Sequence, residues 1–355
     1  MFLETIREFA AHMLADSGEA GVLRRRHAQW FMELTEQAEK QLRGPDQIAW
    51  LDRLEEEIHN IRAVLIWSME TPGEIEAGLR VAGALYWFWN TRAHFSDEGR
   101  AWLDRLLSTP TSAEESLSAR RARAKALLTA GWLHSFLPDR DRAVALTESS
   151  LTLFREVEAG QGVAAALTNL GVYAYLQGRI PRAMALAEEA LAWCRSIGDR
   201  FWIAQVLNDV LGPIAAQNKD YGRAIVLQTE ALALRRVLGD IDGIAWSLYQ
   251  LGGLARAQSD FDHAQACYEE SRTLSRQINN SRLHALAVDE LGQIALAQCQ
   301  YSQAQVLFEE CLAVYEFLNE KEAAARTLIH LDRAVRRQGD TGLAIIRQRD
   351  DNSAK

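Results

Sequence analysis

Glutamates recur at one position of a repeating sequence pattern, and they are the first candidates for chemistry. Paired carboxylates can act as general acid and base. A pair that returns in each repeat belongs to the repeat and not to a unique site, so we expect these side chains to form a solvated stripe. The glutamates of this stripe are Glu148, Glu188, Glu189, Glu230, Glu269, Glu270, Glu309 and Glu310. The arginines near the ends of the same predicted helices, where positive charge complements the helix dipole, are Arg155, Arg195, Arg236 and Arg276.

Metal and nucleophile chemistry find little support in the spacing of the remaining residues. His263 and Cys267 lie one helical turn apart on one predicted helix and could share a metal. His284 and Cys299 do not complete a set of three ligands, and buried free cysteines usually behave as small apolar residues. No serine, threonine or cysteine stands in a nucleophile motif, and no phosphate-binding loop occurs. We therefore predict no enzyme activity, no catalytic residue, no metal and no cofactor.

Aromatic and basic clusters are the other candidate features. Tyr86–Trp89, together with Trp102, could form a ligand pocket, but aromatic residues at helical spacing usually lie in the core, and we predict that here. The basic runs at Arg24–Arg26 and Arg120–Arg123 lack interleaved stacking aromatics. In a chain with a net charge of −9 they indicate solvated helix faces or partner contacts, and we expect no direct nucleic-acid partner.

Composition limits the class of protein further. The 355 residues are 48% hydrophobic, which is enough for a large core. The four cysteines show no disulfide-like spacing, and the first residues show no secretory signal. The most apolar run, Ala82–Trp89, is far shorter than the roughly 20 residues that a membrane span needs. We expect a cytoplasmic protein without a membrane partner.

The elements that must position any site come from one pattern that returns at nearly constant intervals between positions 122 and 344. A small residue, usually glycine after leucine, is followed at a fixed distance by alanine, as Gly171 is by Ala183. The pattern's glycines are Gly131, Gly171, Gly212, Gly252 and Gly292, and its alanines are Ala143, Ala183, Ala224, Ala264, Ala304 and Ala344. Such self-similarity, with a period of about 40 residues, indicates stacked repeats of two helices each. Since no segment alternates with period two, we predict an all-α, right-handed α-solenoid preceded by an N-terminal helical unit.

Turn signals divide the chain into individual helices. Within one repeat, the apolar spacing predicts a helix over Val163–Gln177 and a second over Pro181–Ile197. Ser108–Ser116 is the clearest predicted loop of the first half. The helices predicted before that loop are Phe2–Ala15, 19–43, 46–69, Glu74–Asn90 and Asp97–Leu107.

The repeat spacing resembles the tetratricopeptide repeat, whose usual period is about 34 residues, in a variant with longer helices. Positions 1–110 resemble the junction, in bacterial signal-transduction ATPases of the STAND type, between the nucleotide-binding and winged-helix part and the repeat array. Many of those relatives are transcriptional regulators, some with a LuxR-type helix-turn-helix. The segments that carry this resemblance are Leu3–Ala10, Ser17–Glu19, Arg24–His27, Leu42–Asp46, Trp50–Leu54 and Glu57–Ala63.

The resemblance implies a sensor region without its ATPase or its helix-turn-helix domain, because the residues for ATP and DNA binding are absent. We therefore expect a helical remnant of the junction at 1–44, a linker unit with a first helix pair at 45–110, the repeat array at 117–345 and a flexible tail at 346–355. No capping residue precedes Phe2, and we expect longer relatives to continue upstream of Met1.

By analogy with tetratricopeptide repeats, the concave face of the array is the expected binding surface. The partner would be a protein or peptide, with self-association or a separate ATPase or regulator subunit as further possibilities. The alternatives are a stand-alone adaptor unconnected with transcription and, least favoured by the acidic charge, a nucleic-acid-binding solenoid. The predicted binding residues are Thr168, Asn169, Tyr175, Asn208, Asp209, Trp246, Tyr249, Arg256, Asp289, Glu290, Arg333 and Arg336.

Overall fold

A computed structural model describes Met13 and residues 18–110, 115–137 and 140–353, with side chains as far as residue 339. Every regular element in these residues is helical, which confirms the all-α prediction. The N-terminal unit contains α1 (Ala20–Gln41), α2 (Gln47–Glu56), α3 (Ile58–Glu70), α4 (Ile75–Ala84), α5 (Tyr86–Thr91), a short 3₁₀ turn (Ala93–Phe95) and α6 (Ser96–Leu107).

Five helix pairs and a final helix form the array. The pairs are α7 (Leu117–His134) with α8 (Asp141–Glu156), α9 (Gly160–Leu176) with α10 (Ile180–Ile197), α11 (Arg200–Val206) and α12 (Gly212–Gln217) with α13 (Tyr221–Leu238), α14 (Ile241–Ala257) with α15 (Phe261–Gln277), and α16 (Ser281–Ala297) with α17 (Tyr301–Phe317). The final helix, α18 (Lys321–Ser353), continues through most of the segment predicted as a flexible tail.

Two predicted helices of the N-terminal unit are divided in the structure. The helix predicted over 46–69 is interrupted at Glu57, although the Glu57 N–H still bonds to the Arg53 carbonyl oxygen. The helix predicted over 74–90 is interrupted at Leu85, and the whole aromatic run that follows is buried, as predicted. The predicted helix at Phe2–Ala15 lies, apart from Met13, outside the described residues, as does 111–114 of the predicted loop.

Local capping chemistry sets the ends of the repeat helices. The second helix of a repeat stops at a residue with a positive φ, for example Gly198 at 69° and Gly239 at 72°, because glycine adopts this left-handed conformation without steric penalty. The next residue begins the following helix: the side chain of Asp240 accepts the Gly243 N–H, as N-cap residues commonly do. The same cap recurs at Asp199 and, with asparagine, at Asn280.

An extra residue in the repeat spacing lies inside a helix. The interval from Gly198 to Gly212 is longer by a single position than the equivalent interval from Gly239 to Gly252. Within the longer interval, Leu207–Leu211 form one turn of π-helix, the usual way in which a helix accommodates a one-residue insertion. The inserted residue is therefore accommodated within the helix.

The N-terminal unit folds back across the array and contacts repeats far along the chain. Arg92 is 1% exposed and donates hydrogen bonds to Asp52, to Glu55 and to the carbonyl oxygen of Ile278, 186 residues away. Gln47 likewise contacts Asp240 at 3.4 Å. These contacts join the N-terminal unit to the start of α14 and to the end of α15.

Candidate binding cavity

A cavity of about 720 Å³ lies in the concave face of the array, where the first helices of the repeats face α5. This volume falls within the range of typical small-ligand sites. The N-terminal unit contributes Trp87 and Asn90, and the last contribution along the chain comes from α16. The aromatic residues that line the cavity are Trp87, Trp132, Phe136, Tyr175, Phe201, Tyr221 and Trp246.

The floor of the cavity contains three aspartates around one arginine. Arg235 is 1% exposed, and its Nη1 donates to the Gly243 carbonyl oxygen at 2.5 Å. Its Nη2 donates to the side-chain oxygen of Gln205. The guanidinium therefore donates its hydrogen bonds to neutral acceptors. It interacts with Asp209, Asp240 and Asp242 only through its charge.

Burial raises the pKa of each of these aspartates. Removal from water disfavours the charged carboxylate, and the positive charge of Arg235 opposes this effect only in part. For Asp242, burial and the neighbouring charge of Asp240 raise the pKa to about 6. Asp209 accepts the Trp246 Nε1–H at 2.7 Å and the Asn208 side-chain amide at 2.9 Å, both on Oδ1.

Two buried polar atoms beside the cavity lack hydrogen-bond partners among the described residues. Gln228 is 2% exposed; its side-chain amide donates to the Asn208 carbonyl oxygen at 3.0 Å, but its Oε1 accepts no bond. Trp87 is 7% exposed, and its Nε1–H has no acceptor. Such atoms are rare in native proteins, and both of these are closed off from the solvent-accessible surface of the cavity.

The rim of the cavity is apolar and reaches solvent. Phe136 is 43% and Leu176 50% exposed. The Arg282 guanidinium lies 4.3 Å from the centre of the Phe136 ring, within the range of cation–π contacts, while its Nε donates to Glu320 at 2.6 Å. The opening is thus framed by apolar and aromatic surface with a paired charge at one edge.

The structure brings three of the predicted binding residues together in this cavity: Tyr175, Asp209 and Trp246. Three others are buried in helix packing and are unavailable to a ligand, because in each case the side chain faces a neighbouring helix or its own backbone. Thr168 bonds to the Ala164 carbonyl oxygen, and Asn169 lies beside the Tyr86 hydroxyl. Asn208 accepts the Ser247 hydroxyl at 2.9 Å.

The remaining predicted residues lie outside the cavity lining. Four of them form a second polar group further along the array, in which Arg256 contacts Glu290 at 2.9 Å. Tyr249 of this group stacks on Trp246, and the fourth member, Asp289, accepts from the Thr327 hydroxyl at 3.3 Å. The last two residues, Arg333 and Arg336, are exposed on α18.

Sequence reasoning missed several residues of the cavity. Trp87 and Phe201 meet edge to face with ring centres 5.1 Å apart, although they lie on elements far apart in the chain. Asp240 follows Gly239 at a helix stop, and that position indicates a capping residue; nothing local shows that it also lies in a cavity floor. Asp242 and Arg235 gave no signal, because their side-chain contacts, such as those of Asp242 with Asn280 and of Arg235 with Gln205, join different helices of the array.

The predicted carboxylate stripe forms ion pairs between the second helices of neighbouring repeats. Arg155 contacts Glu189 at 2.6 Å and Arg182 contacts Glu148 at 2.7 Å, with all four side chains about half exposed. Such pairs in solvent contribute little free energy. Within the described part of the chain, no group of three or more histidine, cysteine or acidic side chains is placed to hold a metal ion. None of its helices is both long and apolar enough to cross a bilayer.

Comparisons with known proteins agree with this architecture. Residues 202–277 and residues 163–197 each match a family model of the tetratricopeptide repeat. Putative HTH-type transcriptional regulators of Mycobacterium tuberculosis and Mycobacterium bovis are 32% identical over 212 residues, which is 58% of this chain and 23% of theirs. The matched segment therefore spans less than a quarter of the length of these relatives.

Solved structures show the same fold at low sequence identity. The STAND protein with a tetratricopeptide repeat sensor from Pyrococcus horikoshii has a TM-score of 0.51 at 12% identity, over 78% of this chain and 43% of that one. A Rap protein complexed with competence and sporulation factor has a TM-score of 0.50 at 11% identity, over 88% and 99%. Residues 163–197 and 202–277 are therefore similar to tetratricopeptide repeats, and the fold is similar to that of the repeat-containing STAND protein and of the Rap protein.

Proposed function

We propose that this chain is a non-catalytic module that binds a peptide or a segment of a protein partner in the central cavity. The observation that carries the proposal is the cavity itself, which combines an aromatic wall, an apolar rim and the polar side chains of Asp209, Asp240 and Asp242. This combination suits a ligand with both apolar side chains and backbone hydrogen-bonding groups, as an extended peptide has. Tyr175, Asp209 and Trp246 are the predicted residues that we retain as contacts.

The comparisons support a role in signal transduction. The Mycobacterium relatives are named as putative transcriptional regulators, and two Rap proteins of similar fold are described in complex with a factor and with a peptide. We infer that the module senses its ligand on behalf of a regulator, in the cytoplasm, with an ATPase or regulator subunit as partner. The proposed division is a junction remnant at 1–44, a linker unit at 45–110, the array at 117–345 and a tail at 346–355.

A pull-down with a matched pair of variants tests the proposal. Ala257 lies at the cavity, so Ala257→Trp would fill part of the space that a ligand needs. Ala185, on α10, is exposed and does not line the cavity, which makes Ala185→Trp a control for adding an indole to the surface. We expect partners captured from lysate by the unmodified chain and by Ala185→Trp to be lost with Ala257→Trp.

Two results would count against the proposed function. Capture that is equal for Ala257→Trp and the unmodified chain would show that the cavity is not the binding surface. Turnover by the isolated chain, or ATP binding at micromolar affinity, would show that it is not a non-catalytic module. A thermal-shift screen against peptide pools provides an independent measurement, since a ligand that binds only the folded state raises the melting temperature.

A further inference from the structure

The cavity has more acceptors than donors at its floor. Asp209 receives both of its hydrogen bonds on Oδ1, and Asp242 receives the Asn280 amide on Oδ1 at 2.7 Å. Within the described residues no donor bonds to Oδ2 of either side chain. A ligand in the cavity would therefore have to supply the hydrogen-bond donors for these free carboxylate oxygens.

The charge of the floor favours a cation. Three aspartates line the cavity beside the single buried Arg235, whose donors are already bonded to Gly243 and Gln205. At the rim, Arg282 is paired with Glu320, and Arg140 is exposed. A cationic group that entered the floor would complete the acceptors and would stabilise the charged form of carboxylates that burial disfavours.

The wall above this floor suits the apolar part of such a ligand. Trp246 lies against Asp209 through its Nε1–H, and Trp87, Phe201 and Tyr175 complete an aromatic surface. Aromatic faces attract cations and also pack against alkyl chains.

We propose that the cavity recognises a peptide by one basic residue, lysine or arginine, whose cationic group bonds to Asp209 and Asp242 while its alkyl chain packs on the aromatic wall. This inference rests on the proposed function and specifies its ligand.

The test uses four pools of fluorescein-labelled pentapeptides whose central residue is arginine, lysine, citrulline or glutamate and whose other positions are mixtures of neutral residues. Citrulline keeps the shape of arginine without its charge. Binding to the full chain is followed by fluorescence anisotropy. We expect the arginine and lysine pools to bind at least about tenfold more tightly than the citrulline and glutamate pools, as loss of a charge-assisted hydrogen bond implies.

Variants test whether Asp209 and Asp242 cause the preference for a basic residue. Asp209→Asn and Asp242→Asn keep Oδ1 and the side-chain shape but replace the free carboxylate oxygen by an amide, and each is expected to weaken binding of the arginine pool about tenfold. Glu188→Gln removes one charge from the exposed face of α10, away from the cavity, and should leave binding unchanged. Equal weakening by Glu188→Gln would assign the preference to net charge rather than to the floor.

The outcomes separate the two proposals. If the citrulline or glutamate pool binds as well as the arginine pool, the basic-residue inference is wrong and the peptide-binding function stands. If no pool binds, the proposed function fails, and the inference fails with it. Binding of free spermidine in the absence of binding by any pool would identify a small polyamine as the ligand and would overturn the assignment to a peptide.

Discussion

Gly252 and Gly253 are adjacent on α14, face the same tyrosine, and are predicted to respond oppositely to substitution by alanine. A Cβ on Gly252 would lie 2.8 Å from Cε1 and 3.0 Å from Cζ of the Tyr268 ring, whereas a Cβ on Gly253 would lie 3.6 Å from the Tyr268 hydroxyl oxygen. The first distance is a collision and the second is an ordinary van der Waals contact. Tyr268 is 1% exposed, so the collision would be with a buried ring.

The expected magnitudes follow from two opposing effects. Replacing a helical glycine by alanine favours the helix by about 0.8–1 kcal/mol, and this is the change in the free energy of unfolding that we expect for Gly253→Ala. In Gly252→Ala the same gain is opposed by overpacking against a buried ring, which costs about 1–3 kcal/mol. Gly252→Ala should therefore be less stable than Gly253→Ala by about 1–3 kcal/mol.

Urea denaturation followed by circular dichroism measures this difference, provided that the slope of the transition is the same for both variants. Gly253→Ala is the control for helix propensity, because it makes the same substitution one position away from Gly252→Ala. Equal midpoints for the two variants would refute the view that the repeat's glycine exists to admit a large side chain from the second helix.

Three further predictions concern charge. Asp242→Asn should stabilise the protein by about 1–2 kcal/mol at about pH 7.5, a gain limited by solvent in the open cavity. Because the folded-state pKa of Asp242 is raised to about 6, the cost of burying its charge is present above that pH and disappears as pH falls toward about 4. Thermal melts at about pH 7.5 and about pH 4 should therefore differ in the effect of the variant, and a pH-independent effect would contradict the prediction. Arg92→Lys should lower the free energy of unfolding by about 2–3 kcal/mol and accelerate hydrogen exchange in α2. The reason is that an ammonium group cannot bond to three acceptors in a planar arrangement. Unchanged exchange would be evidence that Arg92 does not hold the N-terminal unit against the array. Glu189→Gln, which breaks an exposed pair with Arg155, should change stability by no more than about 0.5 kcal/mol in the same melts, and a loss above about 1 kcal/mol would show that the stripe stabilises the array.

The repeat helices could be predicted from the sequence because their determinants are local. The turn at Gly198 and the proline at position 181 define α10 at both ends, and the observed helix, Ile180–Ile197, begins one residue before the prediction. The longer interval between Gly198 and Gly212 records the inserted residue, but spacing alone does not distinguish a longer loop from a π-helical turn.

The binding cavity could be predicted only in part, because tertiary contacts determine it. Trp246 and Asp209 were found because they flank the small residues of the repeat pattern, which places them on the concave face. The same reasoning selected Asn208, one position away on the helix, whose side chain turns into the packing between the π-helical turn and α14. The contribution of Trp87 depends on the N-terminal unit folding back, for which no local sequence signal exists.

The bond from Arg92 to the Ile278 carbonyl oxygen has a consequence for how this chain unfolds. In an ordinary solenoid each repeat contacts only its neighbours, so the array can unfold from its ends one repeat at a time. Here the bond joins positions 186 residues apart and encloses the first four helix pairs in a loop. Melting of a pair inside the loop is expected to disturb the contacts that close it, and a single transition is therefore expected where an open repeat array would unfold from its ends.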